Sequence, residues 1–333
     1  MGRQSLLVNK ALVSTQNRLF NNFAQTGRIT RVPISHSLKG VLKVPLNFLT
    51  QTIYSLKWAF ETRSDIILFV MASPFDLVTM VITRFVNKKI VFICHETRAH
   101  SGERWPREKS IATRVKLAHL TITLSSGEAK KLSKLLPSAA VLELFHPVFD
   151  IENCSADIDL DLELSNSPVF LFLGRFKEYK GLERLIESWS GVDQGHLIVA
   201  GEGELKMELS PNITLVNRWL SEAEIAYLVE ISDVVVFPYL SASQSGLVPY
   251  VRAKGKKIVA SKLPGFLDQL SGYDADTYWV DDLTIESLRK TLKEISKGIL
   301  WKTSILEDIS HFDHSMVAFL MRIQENWDTS KEI

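Results

Sequence analysis

The sequence predicts an α/β fold in which parallel strands alternate with helices. Three short apolar runs, Val169–Leu173, Leu197–Ala200 and Val234–Phe237, have the length and composition of buried strands. A glycine or proline follows each run, and two of the runs lead into a helical pattern. Strands that alternate with helices build a parallel sheet covered by helices on both faces. Ligands of such sheets bind beyond the carboxyl ends of the strands.

The first half of the chain shows the same alternation. Strands are predicted at Ser5–Val8, Ile29–Ile34, Asp65–Val70, Lys89–Cys94, Ala118–Leu124 and Val141–Phe145. Helical patterns lie between them at Thr15–Gln25, Leu46–Phe60, Phe75–Val86 and Ser125–Leu136. Pro45 is expected to start the second of these helices, and Ser125-x-x-Glu128 to open the fourth as a capping box.

The second half continues the pattern beyond the three buried runs. Tyr278–Val280 is predicted as a last short strand, and Asp281 or Asp282 can cap the helix that follows it to about Ile295. Asp233 directly precedes a strand and is interpreted as a structural residue. The amphipathic pattern of His311–Trp327 predicts a final helix.

The segment Leu38–Phe60 is both basic and apolar. Its residues Leu49, Ile53, Leu56 and Phe60 share one stripe of the predicted helix. The lysines at 39, 43 and 57, together with Tyr54 and Trp58, would suit a helix that lies in a membrane interface. The alternative is a helix packed on the sheet with ordinary surface lysines, which we favour because this architecture requires such helices.

Small and basic residues follow the strands of the second half. They are Gly174-Arg175, Lys180-Gly181, Gly201-Glu202-Gly203 and Ser243-Gln244-Ser245-Gly246. The last group precedes a helix whose first turn would hold Pro249, and N–H groups at such a helix start favour an anion. Arg175 and Lys180 could converge on the same anion. The pattern predicts a diphosphate site; the alternative is solvated loop charges and turn glycines.

These motifs carry a family resemblance. The pattern G-R-x4-K-G-L-x2-L-I-x-S-W begins at Gly174, and VAGEG, DVVVFPYLSASQSG and GKKIVAS follow it along the chain. Together they resemble the C-terminal domain of retaining glycosyltransferases of GT-B architecture, often called family 4 or glycosyl transferases group 1. About a hundred residues resemble the family closely and most of the chain loosely.

The resemblance implies a two-domain organisation. Residues 1–148 would be an acceptor-binding Rossmann-like domain, and residues 149–310 a Rossmann-like domain that binds a nucleotide-sugar. The two would face a cleft, and a helix at 311–333 would cross back to the first domain. No cofactor and no metal is implied, because the nucleoside-diphosphate-sugar is itself the substrate. The alternating Asp157, Asp159 and Asp161 are therefore interpreted as part of a solvated linker rather than a metal site.

The resemblance also assigns roles to residues of the second half. Arg175 and Lys180 would hold the donor diphosphate beside Gly174, and Ser245 and Gly246 would do so through backbone N–H groups. Gly201 and Gly203 would let the backbone approach the donor. Glu202 would also come near it, and Gln244 could hydrogen-bond a sugar hydroxyl.

In the first half, three residues follow the strand that ends at Cys94. His95 matches the position where the family has a histidine that contacts the donor sugar near the reacting carbon. His100 and Glu103 are candidates for handling the acceptor hydroxyl, since a near-neutral histidine can accept its hydrogen bond. For all three the alternative is an ordinary structural or solvated residue.

One feature departs from the family. Many members carry two glutamates eight positions apart around the helix after Gly246, which touch the sugar and the ribose. Here residues 241–255 read SASQSGLVPYVRAKG, without a carboxylate. The sequence is similar to a subgroup with a comparable Q-S-G turn, in which Gln244 and Tyr250 would take over these contacts.

The net charge of +1 conceals a strong asymmetry. Residues 1–150 contain 21 Lys and Arg against 9 Asp and Glu, and no acidic residue precedes Glu61. The remaining residues carry 18 basic against 29 acidic side chains, so the halves have charges of +12 and −11. A basic half favours an anionic membrane surface as partner. No motif in the sequence supports nucleic acid as the partner. The remaining alternative is a basic face that only aids solubility.

The location predicted from sequence is cytoplasmic, with peripheral contact at the inner face of the membrane. The start of the chain lacks a signal-peptide apolar core, and no apolar run reaches transmembrane length. The two cysteines, Cys94 and Cys154, have neither a disulfide framework nor zinc spacing.

These observations predict a glycosyltransferase that moves a sugar, with retention, to an acceptor hydroxyl of a lipid-linked or surface glycan. Two alternatives stay open. One is a non-catalytic GT-B subunit that binds or stabilises a partner transferase. The other is a sugar-nucleotide epimerase, although its cleft carboxylates are not found here.

Overall fold

A computed structural model describes residues 4–9, 27–32, 43–61, 66–70, 72, 76–98, 107–146, 168–298 and 322 of the chain. The chain divides into two compact units. The first ends at Leu144 and the second begins at Phe145. The domain boundary expected after residue 148 lies outside the described residues. So does the expected final helix, apart from Arg322.

The first unit contains parallel strands and four described helices. Strands β1 (Gln4–Asn9) and β2 (Gly27–Val32) pair with each other. A four-stranded parallel sheet has the order β3 (Ile66–Phe69), β4 (Lys89–Cys94), β5 (Leu120–Thr123), β6 (Val141–Glu143). The helices are α1 (Lys43–Glu61), α2 (Asp76–Phe85), α3 (Glu108–Leu117) and α4 (Ser126–Leu135).

The six strands predicted for this half all occur within a few residues of their expected bounds. Helix α1 begins at Lys43 rather than at Leu46, because its first turn accommodates Pro45 where no N–H is needed. The helix predicted at Thr15–Gln25 lies outside the described residues. Helix α3 was not predicted, because its buried side includes Arg114, a charged residue that interrupts the apolar pattern. Burial of Arg114 is possible because its Nε donates to Asp76 Oδ1 at 2.9 Å.

The capping box predicted at Ser125 forms only in part. The Ser125 hydroxyl accepts from the Glu128 N–H at 3.3 Å, as expected of a cap. The Glu128 carboxylate is buried and accepts instead from the Thr97 N–H at 2.7 Å and from Lys131 Nζ at 2.7 Å. The predicted reciprocal bond is therefore replaced by one that anchors the loop after β4.

The second unit is built on a six-stranded parallel sheet. Its strands are β7 (Val169–Leu173), β8 (His196–Gly201), β9 (Ile213–Asn217), β10 (Val234–Phe237), β11 (Lys257–Ser261) and β12 (Thr277–Val280). The helices are α5 (Leu182–Trp189), α6 (Glu222–Ile231), α7 (Val248–Ala253), α8 (Pro264–Gln269) and α9 (Ile285–Gly298).

The strand order β12-β11-β10-β7-β8-β9 is that of a doubly wound Rossmann sheet. The chain runs outward from β7 to one edge, returns, and runs outward from β10 to the other edge. Strands β7 and β10 are therefore neighbours at the point where the strand order reverses. Such switch points leave a crevice at the carboxyl ends of the strands, which is where ligands bind.

Both faces of this sheet are buried, as its continuous apolar strands predict. Leu171 and Leu173 of β7 face one core cluster, while Phe170 and Phe172 face the other, where Trp189 packs edge-on against Phe170 at 5.0 Å. Asp233 is structural, as interpreted, because its carboxylate accepts from the Val169 N–H at 2.7 Å.

Several parts of the second half differ from expectation, and β11, α6 and α8 have no predicted counterpart. Strand β9 was not predicted. It lies at the edge of the sheet and is only five residues long, and its side chains alternate between more and less buried positions, so it lacks a continuous apolar run. At the start of α9 the cap is Thr284, whose hydroxyl accepts from the Ser287 N–H at 3.2 Å. Asp282 supports this cap by accepting from the Thr284 N–H at 2.9 Å.

The predicted fold class is confirmed as α/β with parallel sheets in both units. Among the described helices, none is long and apolar enough to cross a membrane.

Candidate functional site

The tips of β7 and β8 are held unusually close together. Gly174 follows β7 with φ of 144°, and its N–H donates to the Ala200 carbonyl at 3.0 Å. Gly201 ends β8 with φ of 146°, and a Cβ there would lie 2.0 Å from the Gly174 carbonyl oxygen. Glycine is required at Gly201 because no side chain fits between the two backbones. The close packing of the two loops is therefore enough to explain the glycine at position 201.

The loop after β8 is locked onto the loop after β7. A Cβ at Gly203 would lie 2.5 Å from Phe176 Cβ, and the Phe176 N–H donates to the Glu202 carbonyl at 2.9 Å. The Asn217 side chain bonds both the N–H and the carbonyl of Gly203, at 3.2 and 3.0 Å. Glu202 itself is exposed. The amide of Asn217, at the end of β9, therefore holds Gly203 in place.

Lys180 lies at the switch point between β7 and β10. Its Nζ donates to the Tyr239 hydroxyl at 2.8 Å and lies 4.8 Å from the centre of the Tyr239 ring. The same Nζ would be 2.8 Å from a Cβ at Gly174, so the absent side chain makes room for the ammonium. The next residue, Gly181, is left-handed, and a Cβ there would lie 2.0 Å from the Pro238 carbonyl oxygen. The lysine is thus positioned above two strand tips.

Tyr239 was missed by the sequence analysis. It is buried, and its ring packs edge-on against Tyr179 at 6.1 Å and against Phe266 at 5.1 Å. This aromatic cluster fixes the phenol that receives Lys180. The available signal was an aromatic residue with a hydroxyl directly after Pro238 at a strand end.

Arg184 is a second residue that the sequence analysis missed. It lies on α5, is 8% exposed, and its Nη2 donates to the Pro238 carbonyl at 2.9 Å and to the Ser261 hydroxyl at 2.8 Å. Burial lowers the pKa of Arg184, and the charge of Asp282 partly offsets this. Since arginine remains protonated in proteins, it adds a buried positive charge at the tips of β10 and β11.

Arg175, by contrast, is exposed on the loop after Gly174. Its guanidinium and the Lys180 ammonium belong to one loop, which crosses the carboxyl edge of the sheet. This part of the structure places both expected diphosphate ligands at the same sheet edge.

The Gln244-Ser245-Gly246 turn precedes α7, and Pro249 lies in the first turn of that helix as predicted. The Ser245 N–H donates to Gln269 Oε1 at 2.8 Å, and Gln269 Nε2 donates back to the Ser245 carbonyl at 3.0 Å. A ligand that uses the Ser245 N–H must therefore displace the Gln269 side chain. Gly246 is exposed, and Gln244 is half-buried.

His95 belongs to the first unit and follows β4. Its Nε2 is 2.8 Å from the Val70 carbonyl oxygen, which can only accept, so this nitrogen carries the proton. Burial lowers the pKa of His95, against smaller opposing effects of Val70 and Glu96. The ring is therefore neutral at pH 7, and Nδ1 is its acceptor nitrogen. His100 and Glu103, expected beside it, lie outside the described residues.

Neighbouring groups hold this loop in place. The Thr97 N–H is fixed by the buried Glu128 carboxylate, as described above. Burial and the charge of Glu128 raise the pKa of Cys94 to about 12, so Cys94 remains a neutral core thiol. Over the described parts of the chain, no cluster of three or more His, Cys, Asp or Glu could hold a metal ion. The aspartates 157–161 lie outside those parts.

Comparison with a family model places the second unit among known domains. Residues 167–297 match the family described as glycosyl transferases group 1. This region contains the sheet of β7–β12, Arg175, Lys180 and the Gln244–Gly246 turn. No curated protein matches the sequence.

Solved structures share the fold of nearly the whole chain. Sucrose-phosphate synthase from Thermosynechococcus elongatus is 13% identical, with a TM-score of 0.65 over 89% of this chain and 90% of that one. Anabaena HepE in complex with UDP and glucose is 14% identical, with the same TM-score and coverage. A UDP-N-acetylglucosamine 2-epimerase is 9% identical, with a TM-score of 0.58 over 89% of this chain and 88% of that one.

At these identities the likeness establishes the fold alone, which is α/β with parallel sheets and of the GT-B kind. Sucrose-phosphate synthase and a UDP-N-acetylglucosamine 2-epimerase share it, so fold alone does not choose between sugar transfer and epimerisation. The family match over residues 167–297, which is less than half of the chain, supports a sugar-transferring enzyme.

Proposed function

We propose that this protein is a glycosyltransferase that transfers a sugar from a nucleoside-diphosphate-sugar to an acceptor hydroxyl. The observation that carries the proposal is Lys180, held above the tips of β7 and β10 within the region that matches glycosyl transferases group 1. Anabaena HepE, whose structure contains UDP and glucose, shares this fold and supports a nucleotide-sugar as the donor.

Transfer requires stabilisation of the charge that builds on the leaving diphosphate. Arg175 supplies a planar fork of donors and Lys180 a point charge, both at one sheet edge. Lys180 donates here to a neutral phenol rather than to a carboxylate, so its positive charge is not neutralised by that partner. Moving the ammonium from Tyr239 to a phosphate oxygen exchanges a hydrogen bond to a neutral acceptor for one to an anionic acceptor, which adds charge–charge attraction.

Arg184 strengthens this electrostatic role from inside the protein. Its buried guanidinium lies at the same carboxyl edge and is not itself exposed to a ligand. A fixed buried charge interacts more strongly than a solvated one, because water screens it less. In the proposal, Arg184 raises the positive potential that Arg175 and Lys180 present.

The remaining roles follow the family resemblance. The neutral ring of His95 would accept a hydrogen bond from the donor sugar at Nδ1, and Gly246 would offer a backbone N–H to the diphosphate. Transfer would proceed with retention, without a metal or an added cofactor, to a lipid-linked or surface glycan. The enzyme would act in the cytoplasm beside an anionic membrane, consistent with the +12 charge of residues 1–150.

Calorimetric titration with UDP and with GDP tests the donor site. We expect one nucleotide to bind, and the variant Arg175→Ala/Lys180→Ala to lose that binding. The matched control is Lys177→Ala, which removes an exposed lysine of the same loop. Wild-type protein that binds neither nucleotide would contradict the proposal.

Two alternatives are distinguished by product analysis. A non-catalytic subunit is favoured by the absence of carboxylates from residues 241–255, and it would release no nucleotide from UDP- or GDP-sugars in the presence of acceptor or water. An epimerase, whose fold is shared, would convert a UDP-sugar into its epimer without transferring it. Release of nucleoside diphosphate with a glycosylated acceptor would exclude both.

A further inference from the structure

Hydroxyl groups meet between helices α1 and α2 of the first unit. Ser55 Oγ lies 2.6 Å from Thr79 Oγ1, and the Thr83 hydroxyl donates to the Thr79 carbonyl at 2.6 Å. All three side chains are buried. The contact side of α1 is therefore polar at Ser55, the reverse of what an amphipathic helix normally buries.

The apolar stripe of α1 points to solvent instead. Leu49, Ile53, Leu56 and Phe60 follow helical spacing, and their exposed fractions are 56%, 55%, 42% and 74%. We call these four residues the α1 apolar face. On the neighbouring helix α2, Val81 and Phe85 are also exposed, at 53% and 87%. Exposed apolar residues are unremarkable singly, but a row of four on one helix face marks a binding surface.

The exposed charged side chains that the structure describes on α1 and α2 are both basic. Lys57 is exposed and lies one helical turn from Ile53, and α1 carries no acidic residue before its last position, Glu61. Arg84 is exposed on α2. The partner of this face should therefore be apolar with an anionic border.

We propose that the α1 apolar face docks on the surface of an anionic lipid bilayer. A helix of this kind lies in the interface with its apolar side chains among the acyl chains and its lysines at the headgroups. Basic side chains next to the membrane add electrostatic attraction to anionic lipid. The helix lies along the surface, in keeping with the absence of a membrane-spanning helix from the described residues.

A second copy of the chain fits this face less well. A symmetric dimer would bring the same basic surface of both copies together, within halves that carry +12 each. An anionic bilayer attracts the positive charge of this half, whereas the same positive charge on a second copy repels it.

The docking surface deepens the proposed function, because it names the side of the protein that would face a lipid-linked acceptor. Its test does not depend on sugar transfer. The α1 apolar face belongs to the first unit, whereas Arg175 and Lys180 belong to the second, so the two assignments can fail separately.

The experiment is co-sedimentation of the full chain with vesicles of phosphatidylcholine alone and with vesicles that also contain phosphatidylglycerol. We expect binding to the anionic vesicles at least about tenfold tighter than to the neutral ones. The variant Leu49→Gln/Ile53→Gln should weaken anionic binding by about tenfold or more, since two apolar side chains no longer enter the bilayer. Lys57→Gln should weaken it severalfold.

Matched controls are Leu135→Gln and Lys130→Gln on α4, which change exposed residues of the same unit. Both should bind anionic vesicles like the wild type. Because Leu49 and Ile53 are already exposed, the double variant should keep its thermal unfolding temperature, and its titration with UDP and GDP should match the wild type. These readouts distinguish a lost docking surface from a misfolded protein or a lost donor site.

Wild-type protein that binds no anionic vesicle, or a double variant that binds them like the wild type, would overturn the proposal. Equal binding to neutral and anionic vesicles would overturn its electrostatic part. A wild-type dimer that becomes monomeric in the double variant, without vesicle binding, would assign the face to contact between copies instead.

Discussion

Lys180 illustrates how a single residue is placed by its neighbours. Gly174 leaves space for its ammonium, Gly181 lets the chain turn against Pro238, and Tyr239 receives the Nζ. None of these contacts neutralises the charge, and in the proposed function Lys180 would exchange Tyr239 for an anionic partner. Two glycines and a tyrosine thus have a common physical explanation at this position.

The contribution of Lys180 can be measured by substitution. We expect Lys180→Ala to lower kcat by on the order of a hundredfold or more, because one donor to the leaving diphosphate is lost. Lys177→Ala on the same loop should leave kcat near the wild-type value. The measurement is a steady-state assay of nucleotide release, and equal rates for the two variants would contradict the role of Lys180.

Gly201 should tolerate no side chain. An added Cβ would lie 2.0 Å from the Gly174 carbonyl oxygen at a φ of 146°, so the backbone must shift. We expect Gly201→Ala to reduce the free energy of unfolding by about 2–4 kcal/mol, from backbone strain and overpacking together.

Gly127→Ala provides the control for that measurement. Gly127 lies in α4, and an added Cβ there meets nothing within 4 Å. Urea denaturation should show this variant as stable as the wild type or more stable by up to about 1 kcal/mol. A Gly201→Ala protein with unchanged stability would show that the β7 and β8 tips are not held as described.

At the scale of elements, His119 joins β4 to the segment that precedes β5. The Ile90 N–H donates to His119 Nδ1 at 2.9 Å, and the His119 N–H donates to the Ile90 carbonyl at 2.8 Å. Burial, and then the charges of Arg84 and Lys89, lower the pKa of His119 to about 4. Nδ1 can accept the Ile90 hydrogen bond only while it carries no proton.

This linkage predicts a loss of stability in mild acid. The pKa of His119 is lower in the folded chain than the usual 6.5, so the unfolded chain takes up the proton first as pH falls. The contribution of the neutral ring is fully present above pH 6.5 and should be lost between there and about pH 4. Urea denaturation at intervals from pH 7 to pH 4.5 measures it.

His119→Gln is the variant for comparison, since its amide oxygen can accept from Ile90 without titrating. We expect its stability to fall less over this pH range than that of the wild type. Parallel pH profiles for the two proteins would show that His119 does not carry the dependence.

The helices α1 and α2 show that an element's pattern does not reveal which side is buried. The stripe of Leu49, Ile53, Leu56 and Phe60 predicts one apolar face for α1, and we favoured a face packed on the sheet. The structure buries Ser55 against Thr79 and exposes the stripe. Helix α1 does contact strand β2, as the favoured interpretation requires, but these four side chains are not the ones that it buries.

At the scale of the molecule, charge separates along the chain. Residues 1–150 carry +12 and the rest −11, although the sum is only +1. Local fields of a surface depend on the distribution of charge rather than on its total. Each half can therefore interact with a different partner.

Ion exchange offers a direct check. At pH 7 and low salt we expect the protein to be retained on both a cation exchanger and an anion exchanger, and to elute from each as salt screens the charges. A protein with an even distribution of a net charge of +1 would pass through both. Flow-through on the cation exchanger would contradict an accessible basic surface.

The sequence by itself determined the α/β class, most of the strands and the loops where Arg175, Lys180 and the Gln244–Gly246 turn lie. These follow from local apolar runs and from the glycines and prolines that end them, which depend only on near neighbours in the chain. Strand β9 was not predicted because a short edge strand has a weak pattern, and α3 because it buries an arginine. The cap at Thr284 was not predicted because Asp281 and Asp282 are candidate caps close by.

Only the tertiary structure decided the partners of these residues. It placed Tyr239 under Lys180, Arg184 at the tips of β10 and β11, Gln269 on the Ser245 N–H, and Glu128 on the Thr97 N–H. Most of these pairs join residues far apart in the chain, and each depends on how strands and helices pack side by side. It also exposed the apolar stripe of α1, since burial depends on the neighbour that a helix meets rather than on its own periodicity.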